Sequence, residues 1–152
     1  MKVDIIKKNK TDFLDLLLLA DEQENMIDKY LDRGTLFALY DNDLVSICVI
    51  TNEGNNTFEI QSLATYPQFQ QQGYGKYLVN YVCDYFSGNG INMIVGTGDS
   101  HFHLQFYKNC GFVFSHRIAN YFLDHYDKPI IEAGIPITDK VYLKKTLKTV
   151  LA

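Results

Sequence analysis

The sequence predicts an α/β domain with a mixed central sheet, and three observations predict it. Three runs rich in β-branched and aromatic residues, "TLFALY", "LVSICVIT" and "TFEIQSLATY", follow one another with short turn signals between them, as an antiparallel meander does. Two later segments, "GKYLVNYVCDYF" and "GDSHFHLQFYKNCGF", carry helical spacing and end at glycines. Around them lie short apolar runs, "INMIVGT", "FVFSHRIA" and "KVYLKKTL", that read as further strands. With 152 residues, 47% hydrophobic and 21% charged, the chain can bury one core and is read as a single domain over 1–152.

In chain order, "KVDIIKK" is a first strand. Thr11 reads as the N-cap of a helix over "DFLDLLLLADEQ", and "ENMIDKYLDRG" continues helically until Gly34. "DND" turns the first hairpin, and "NEGNN" the second. In the following helix Tyr77, Leu78, Tyr81, Val82 and Tyr85 form the apolar stripe. "INMIVGT" is a buried strand. Asp99 or Ser100 caps a short helix that Gly111 closes. Pro129, Gly134 and Pro136 break "NYFLDHYDKPIIEAGIPITD" into no long element, and "KVYLKKTL" is the last strand. The expected sheet has about six to seven strands with helices on both faces.

Composition removes several classes of function. A net charge of −4 without a Lys/Arg stripe lacks the footprint that nucleic acid demands. The N-terminal "MKVDIIKKNKTDF" has no signal-type apolar core, and the longest apolar run, Leu16 to Ala20, is too short for a membrane span. A cytoplasmic protein is expected. Cys48, Cys83 and Cys110 are odd in number and widely spaced, so they read as buried thiols.

The stretch "QFQQQGYGKYL", Gln68 to Leu78, places two glycines at the front of a helix. A tight turn would explain them. So would an anion site, because a helix N-terminus offers unpaired N–H groups and a partial positive charge. In that second reading the backbone from Gln71 through Gln72, Gly73, Tyr74 and Gly75 to Lys76 forms a concave nest around a pyrophosphate. Lys76 either adds charge at its rim or lies on a solvated helix face.

From Phe58 to Phe112 the chain resembles the GCN5-related N-acetyltransferases. "EIQSLATYPQFQQQGYG" is similar to that superfamily's strand, bulge and QxxGxG loop, with Gln70, Gly73 and Gly75 at the motif positions, and "FYKNCGF" resembles its second signature. The resemblance implies the corresponding fold, acetyl-CoA as cosubstrate and an amine acceptor, small molecule or peptide, attacked directly in a ternary complex. It implies no metal, and it leaves a homodimer open. It also implies that exposed backbone at Leu63, Ala64 and Thr65 pairs with the pantetheine arm. Tyr107 matches the general acid that protonates the leaving thiolate; otherwise it is a core aromatic. Glu59 matches the general base of histone-acetylating relatives, or else it is a carboxylate at a solvated strand end. If the strand is regular, Glu59, Gln61 and Leu63 share a face. Where many relatives carry an asparagine at the start of the last helix, this chain has Ser100 or His101, a departure at the pantetheine end.

His101 and His103 have HxH spacing, but no third ligand cluster accompanies them. The run Asp21, Glu22, Glu24, Asp28 and Asp32 either attracts a cationic amine or forms a solvated face. Tyr121, His125 and Tyr126 lie in the Arg117 to Asp139 segment, where relatives shape acceptor specificity. A function of another class, a non-catalytic acyl-CoA-binding sensor, would keep the glycine loop and lose the proton-handling groups; Glu59 and Tyr107 favour the enzyme.

Overall fold

The structure, a computed structural model, describes residues 1–148. Among the described residues, seven strands form one sheet and two more form a separate hairpin. β1 (Lys2–Ile6), β2 (Thr35–Asp41), β3 (Asp43–Gly54) and β4 (Thr57–Thr65) pair antiparallel in succession. Asn42 makes the first hairpin turn with φ 63°. Asn55 and Asn56 make the second with φ 52° and 58°, the pair of left-handed residues that a two-residue turn between twisted strands requires. β4 and β5 (Asn92–Gly98) run parallel, and β9 (Lys140–Thr146) inserts antiparallel between β5 and the edge strand β6 (Val113–Ile118).

Helices cover both faces. On one, α1 (Leu14–Ala20) and α2 (Glu24–Ile27) bury Leu16, Leu17 and Ile27 against Leu36, Ala38, Ile47, Val49 and Ala64. On the other, α3 (Tyr74–Tyr85) and α4 (His101–Asn109) cover Phe37, Cys48, Ile50, Ile60, Met93 and Leu143. The mixed seven-strand sheet matches the expected class.

Details differ locally. Thr11 lies inside a 3-10 turn, Lys10–Phe13, that precedes α1 and is entered through left-handed Asn9, so it caps nothing. The helix expected to reach Gly34 stops at Ile27; the Lys10 ammonium donates to the carbonyls of Leu31 (2.9 Å), Asp32 (3.1 Å) and Gly34 (2.6 Å) and holds that stretch as turns. In α3 the buried face is Leu78, Val79, Val82 and Cys83, while Tyr77 and Tyr85 are exposed. The tyrosine stripe lies at the edge of the helix's contact, where a ring can cover apolar surface and keep its hydroxyl wet. The segment after β6 holds a short α5 (Tyr121–His125), then β7 (Ile130–Glu132) and β8 (Ile135–Ile137). Cys48, Cys83 and Cys110 are buried free thiols.

Candidate active site

The parallel pair opens the sheet. β4 and β5 are in register only from Thr57↔Asn92 to Ile60↔Val95, and beyond Ile60 the strands part. A bulge marks the place: Ile60 faces Ile50 and Ser62 faces Val49, leaving Gln61 as the extra residue. Its amide Nε2 donates to Thr51 Oγ1 at 3.0 Å. The bulge reverses the alternation. Ile60 and Leu63 pack into the α3/α4 core, and Ala64 into the α1/α2 core. Glu59 and Gln61 therefore share the α1/α2 face, whereas Leu63 turns to the opposite one, contrary to regular alternation.

The opening forms a cleft of about 680 Å³. Its cofactor-motif wall contains Leu63, Thr65, Gln70, Gln71, Gly73, Tyr74, Gly75, Lys76 and Tyr107. Ala64, Gln72, Ser100 and Glu59 are not part of the wall. Ala64 is buried under α1. Gln72 folds back, its Nε2 donating to Gln68 O at 3.2 Å. Ser100 is the N-cap of α4 but its hydroxyl makes no cap bond, and neighbouring Asp99 instead accepts from Thr138 N–H at 3.4 Å.

At the mouth, Gln71 (φ 61°) and Gly73 (φ 87°) both adopt left-handed backbone just before α3. A Cβ on Gly73 would meet nothing within 4 Å, so it is the left-handed backbone and not a lack of space that favours glycine there. Gly75 faces the Phe106 ring, which a Cβ would meet at 3.4 Å, at the edge of ordinary van der Waals contact, so a larger side chain there would crowd the space between the helix start and α4. Gln70 Nε2 donates to Thr65 O at 3.1 Å and ties the loop to the end of β4. The backbone N–H groups of residues 71–76 donate to no acceptor among the described residues, and no side chain caps α3. Aligned unpaired donors at a helix start attract an anion.

Tyr107 sits on α4 with its ring edge-on to Phe106 (5.0 Å) and Phe112 (5.8 Å). Burial pushes its hydroxyl far above the ordinary tyrosine range. Glu59 is 8% exposed, behind the cleft wall, and burial raises its carboxyl against the lowering influence of Lys140. Tyr107 and Glu59 thus lie on opposite faces of the opened sheet.

The second wall is assembled from side chains of distant segments. Asp21 caps the end of α1 and lines the cleft; Tyr126 donates its hydroxyl to Asp21 Oδ1 at 2.8 Å. Burial raises the Asp21 carboxyl despite that bond. Glu24, Asp28 and Asp32, by contrast, are exposed, so the acidic run divides into one cleft residue with Glu22 beside it and a solvated remainder. The Tyr30 and Ser62 hydroxyls are buried close to each other without an aligned hydrogen bond. Lys140 reaches in from β9 with its ammonium 4.4 Å from the Tyr121 ring centre and 5.1 Å from that of Tyr142, and burial lowers its pKa.

Lys140 and Tyr30 escaped the sequence reading. A signal for Lys140 was present in Gly96 and Gly98, two glycines inside a strand, which mark close approach. A Cβ on Gly96 would lie 2.3 Å from Lys140 Cε, and one on Gly98 2.5 Å from Ile137 Cγ2. Among the described residues no three metal-ligating side chains come together; His103 faces Glu132 instead.

Residues 5–112 match the Acetyltransferase (GNAT) family. The chain is 34% identical over 146 residues, 94% of each chain, to YvbK of Bacillus subtilis (strain 168), an uncharacterized N-acetyltransferase. Among solved structures, an IAA acetyltransferase from Bacillus cereus ATCC 14579 superposes with a TM-score of 0.89 at 32% identity, covering 96% of this chain and 99% of that one. A GNAT family acetyltransferase from Elizabethkingia anophelis with acetyl-CoA bound superposes with a TM-score of 0.86 at 32% identity, covering 96% and 97%. The chain belongs to the GNAT acetyltransferase family and is an acetyl-CoA-dependent N-acetyltransferase. No helix among the described residues is long and apolar enough to cross a membrane.

Proposed function

We propose that this chain moves the acetyl group of acetyl-CoA directly onto a primary amine of a small molecule or peptide, with both substrates bound at once. The observation that carries this reading is a cleft that passes between two strands of the sheet and is lined from both faces. A thioester entering from the α3/α4 side and an amine entering from the α1/α2 side meet without an intermediate carrier. None of Cys48, Cys83 and Cys110 lines the cleft, which supports direct attack over an acetyl-enzyme. The acetyl-CoA bound by the Elizabethkingia relative supports placing the cosubstrate here.

In this reading the N–H groups of residues 71–76 hold the pyrophosphate, with Lys76 adding charge, and the unpaired edge of β4 from Leu63 to Thr65 receives the pantetheine arm. Gln70 acts by fixing the loop. As the amine bonds to the thioester carbon, the C–S bond breaks and Tyr107 donates to the departing sulfur. Glu59 stands outside the wall, so it could reach the amine's proton only through an intervening water.

The test is steady-state release of free CoA across a panel of small and peptide amines. Amine-dependent, saturable release is expected. Saturable acetyl-CoA binding with no stimulation by any amine would sink the reading and return the chain to a sensor.

A further inference from the structure

His103 lies in the cleft wall on α4, four residues before Tyr107 and hence one helical turn away on the same face. Its Nδ1 is buried and lies 2.8 Å from Glu132 Oε2 of β7, a charge contact without hydrogen-bond alignment. Glu132 also lines the cleft, brought over it by the β7–β8 hairpin. A carboxylate against Nδ1 favours the tautomer with its proton there and leaves Nε2 as the basic nitrogen. Nε2 is then the nitrogen free to accept a proton from a group in the cleft.

We propose that His103, oriented by Glu132, is the catalytic base that takes the proton of the acceptor amine. The inference rests on the acetyl-transfer reading above. As the amine nitrogen bonds to the thioester carbon, its proton passes to His103 Nε2. The C–S bond breaks with its electron pair on sulfur, and the sulfur takes the Tyr107 proton. After the products leave, His103 loses its proton to solvent in the cleft and Tyr107 regains one from it, which restores both groups. The net result is transfer of one proton from amine to thiol. Neither Glu59, outside the wall, nor Asp21, already accepting from Tyr126, offers the same direct path. The charged and titratable groups sharing the cleft with His103 are Glu132 from β7, Tyr107 from α4, Tyr74 and Lys76 from α3, Asp21 and Glu22 beyond α1, Lys29, Tyr30 and Arg33 after α2, Tyr121 and Tyr126 around α5, and Lys140 from β9.

The test measures kcat and kcat/KM against pH for wild type, His103→Gln and Glu132→Gln, with the acetyl-CoA-induced shift in melting temperature as a control for folding and cofactor binding. The wild type should lose kcat on an acidic limb set by an imidazole. His103→Gln should lower kcat by about 10²-fold or more and abolish that limb with the ligand shift retained. Glu132→Gln should keep the limb and lower kcat by less than His103→Gln does, because the imidazole has lost the group that orients it. If the pair merely ties the hairpin to α4, both variants raise acceptor KM and leave the limb in place, which overturns the proposal. A wild type that turns over no amine overturns the acetyl-transfer reading and this inference together, so the two failures are told apart.

Discussion

The two walls of the cleft are built by different means. The α3/α4 wall presents mostly backbone: a left-handed entry at Gly73, unpaired N–H groups over residues 71–76 and a strand edge freed by the bulge at Gln61. The α1/α2 wall presents side chains contributed by segments far apart in sequence, such as the Tyr126 hydroxyl on Asp21, 105 residues away, and Lys140 over Tyr121. A backbone site can serve any chain that binds the same cosubstrate. A side-chain wall can change its acceptor by substitution while the sheet stays as it is.

Breaking the backbone wall should have the largest effect. Gly75→Glu places a carboxylate at the anion-facing helix start, and the acetyl-CoA-induced rise in melting temperature should vanish. In the wild type that rise corresponds to about 2.7 kcal/mol when ligand stands at 100 times its Kd. An unchanged rise in the variant would remove the nest from residues 71–76. Next in size is Tyr107→Phe, which should lower kcat by about 10²- to 10⁴-fold with acetyl-CoA affinity nearly intact. Stopped-flow or steady-state kinetics decide this, and full activity would make Tyr107 only a core aromatic packed on Phe106 and Phe112.

This contrast also explains what the sequence disclosed. The loop from Gln70 to Gly75, the meander and the helices that follow are legible because a turn, a strand period and a cap depend on neighbouring residues. The face of Leu63 was not legible, since the bulge at Gln61 leaves no mark in the local pattern and reverses every later side chain. The approach of Glu132 to His103, or of Tyr126 to Asp21, depends on where a broken segment with two prolines and a glycine folds back. Only the two glycines of β5, Gly96 and Gly98, hinted from afar at what crosses them.

The side-chain wall can be sharpened by Tyr126→Phe. The hydroxyl donates to a half-buried carboxylate, and hydrogen bonds to charged groups contribute about 1.5–3 kcal/mol. Removing it frees Asp21 and loosens the segment above it, so acceptor KM should rise roughly tenfold, the equivalent of about 1.4 kcal/mol. The acetyl-CoA thermal shift should not move. A variant that loses cofactor binding and keeps its acceptor KM would reverse the assignment of the two walls.

The smallest effect concerns Glu59, which belongs to neither wall and so tests whether burial behind the cleft has a cost of its own. Burial raises its carboxyl above the ordinary range, and Lys140 only partly offsets this. The folded chain therefore binds that proton more tightly than the unfolded chain does. The stabilising contribution of the protonated form is complete below the unfolded pKa and is lost as pH rises through the raised folded value. Glu59→Gln keeps the neutral shape and cannot ionise. Its melting temperature should thus equal that of the wild type at about pH 4 and exceed it at pH 7.5, by a degree or a few for a chain of this size. If Glu59 instead stabilises the fold as the counter-charge of Lys140, the variant melts lower at pH 7.5, because an ammonium over two tyrosine rings has lost an anionic neighbour. Melting curves of the two proteins at the two pH values separate these outcomes by sign alone.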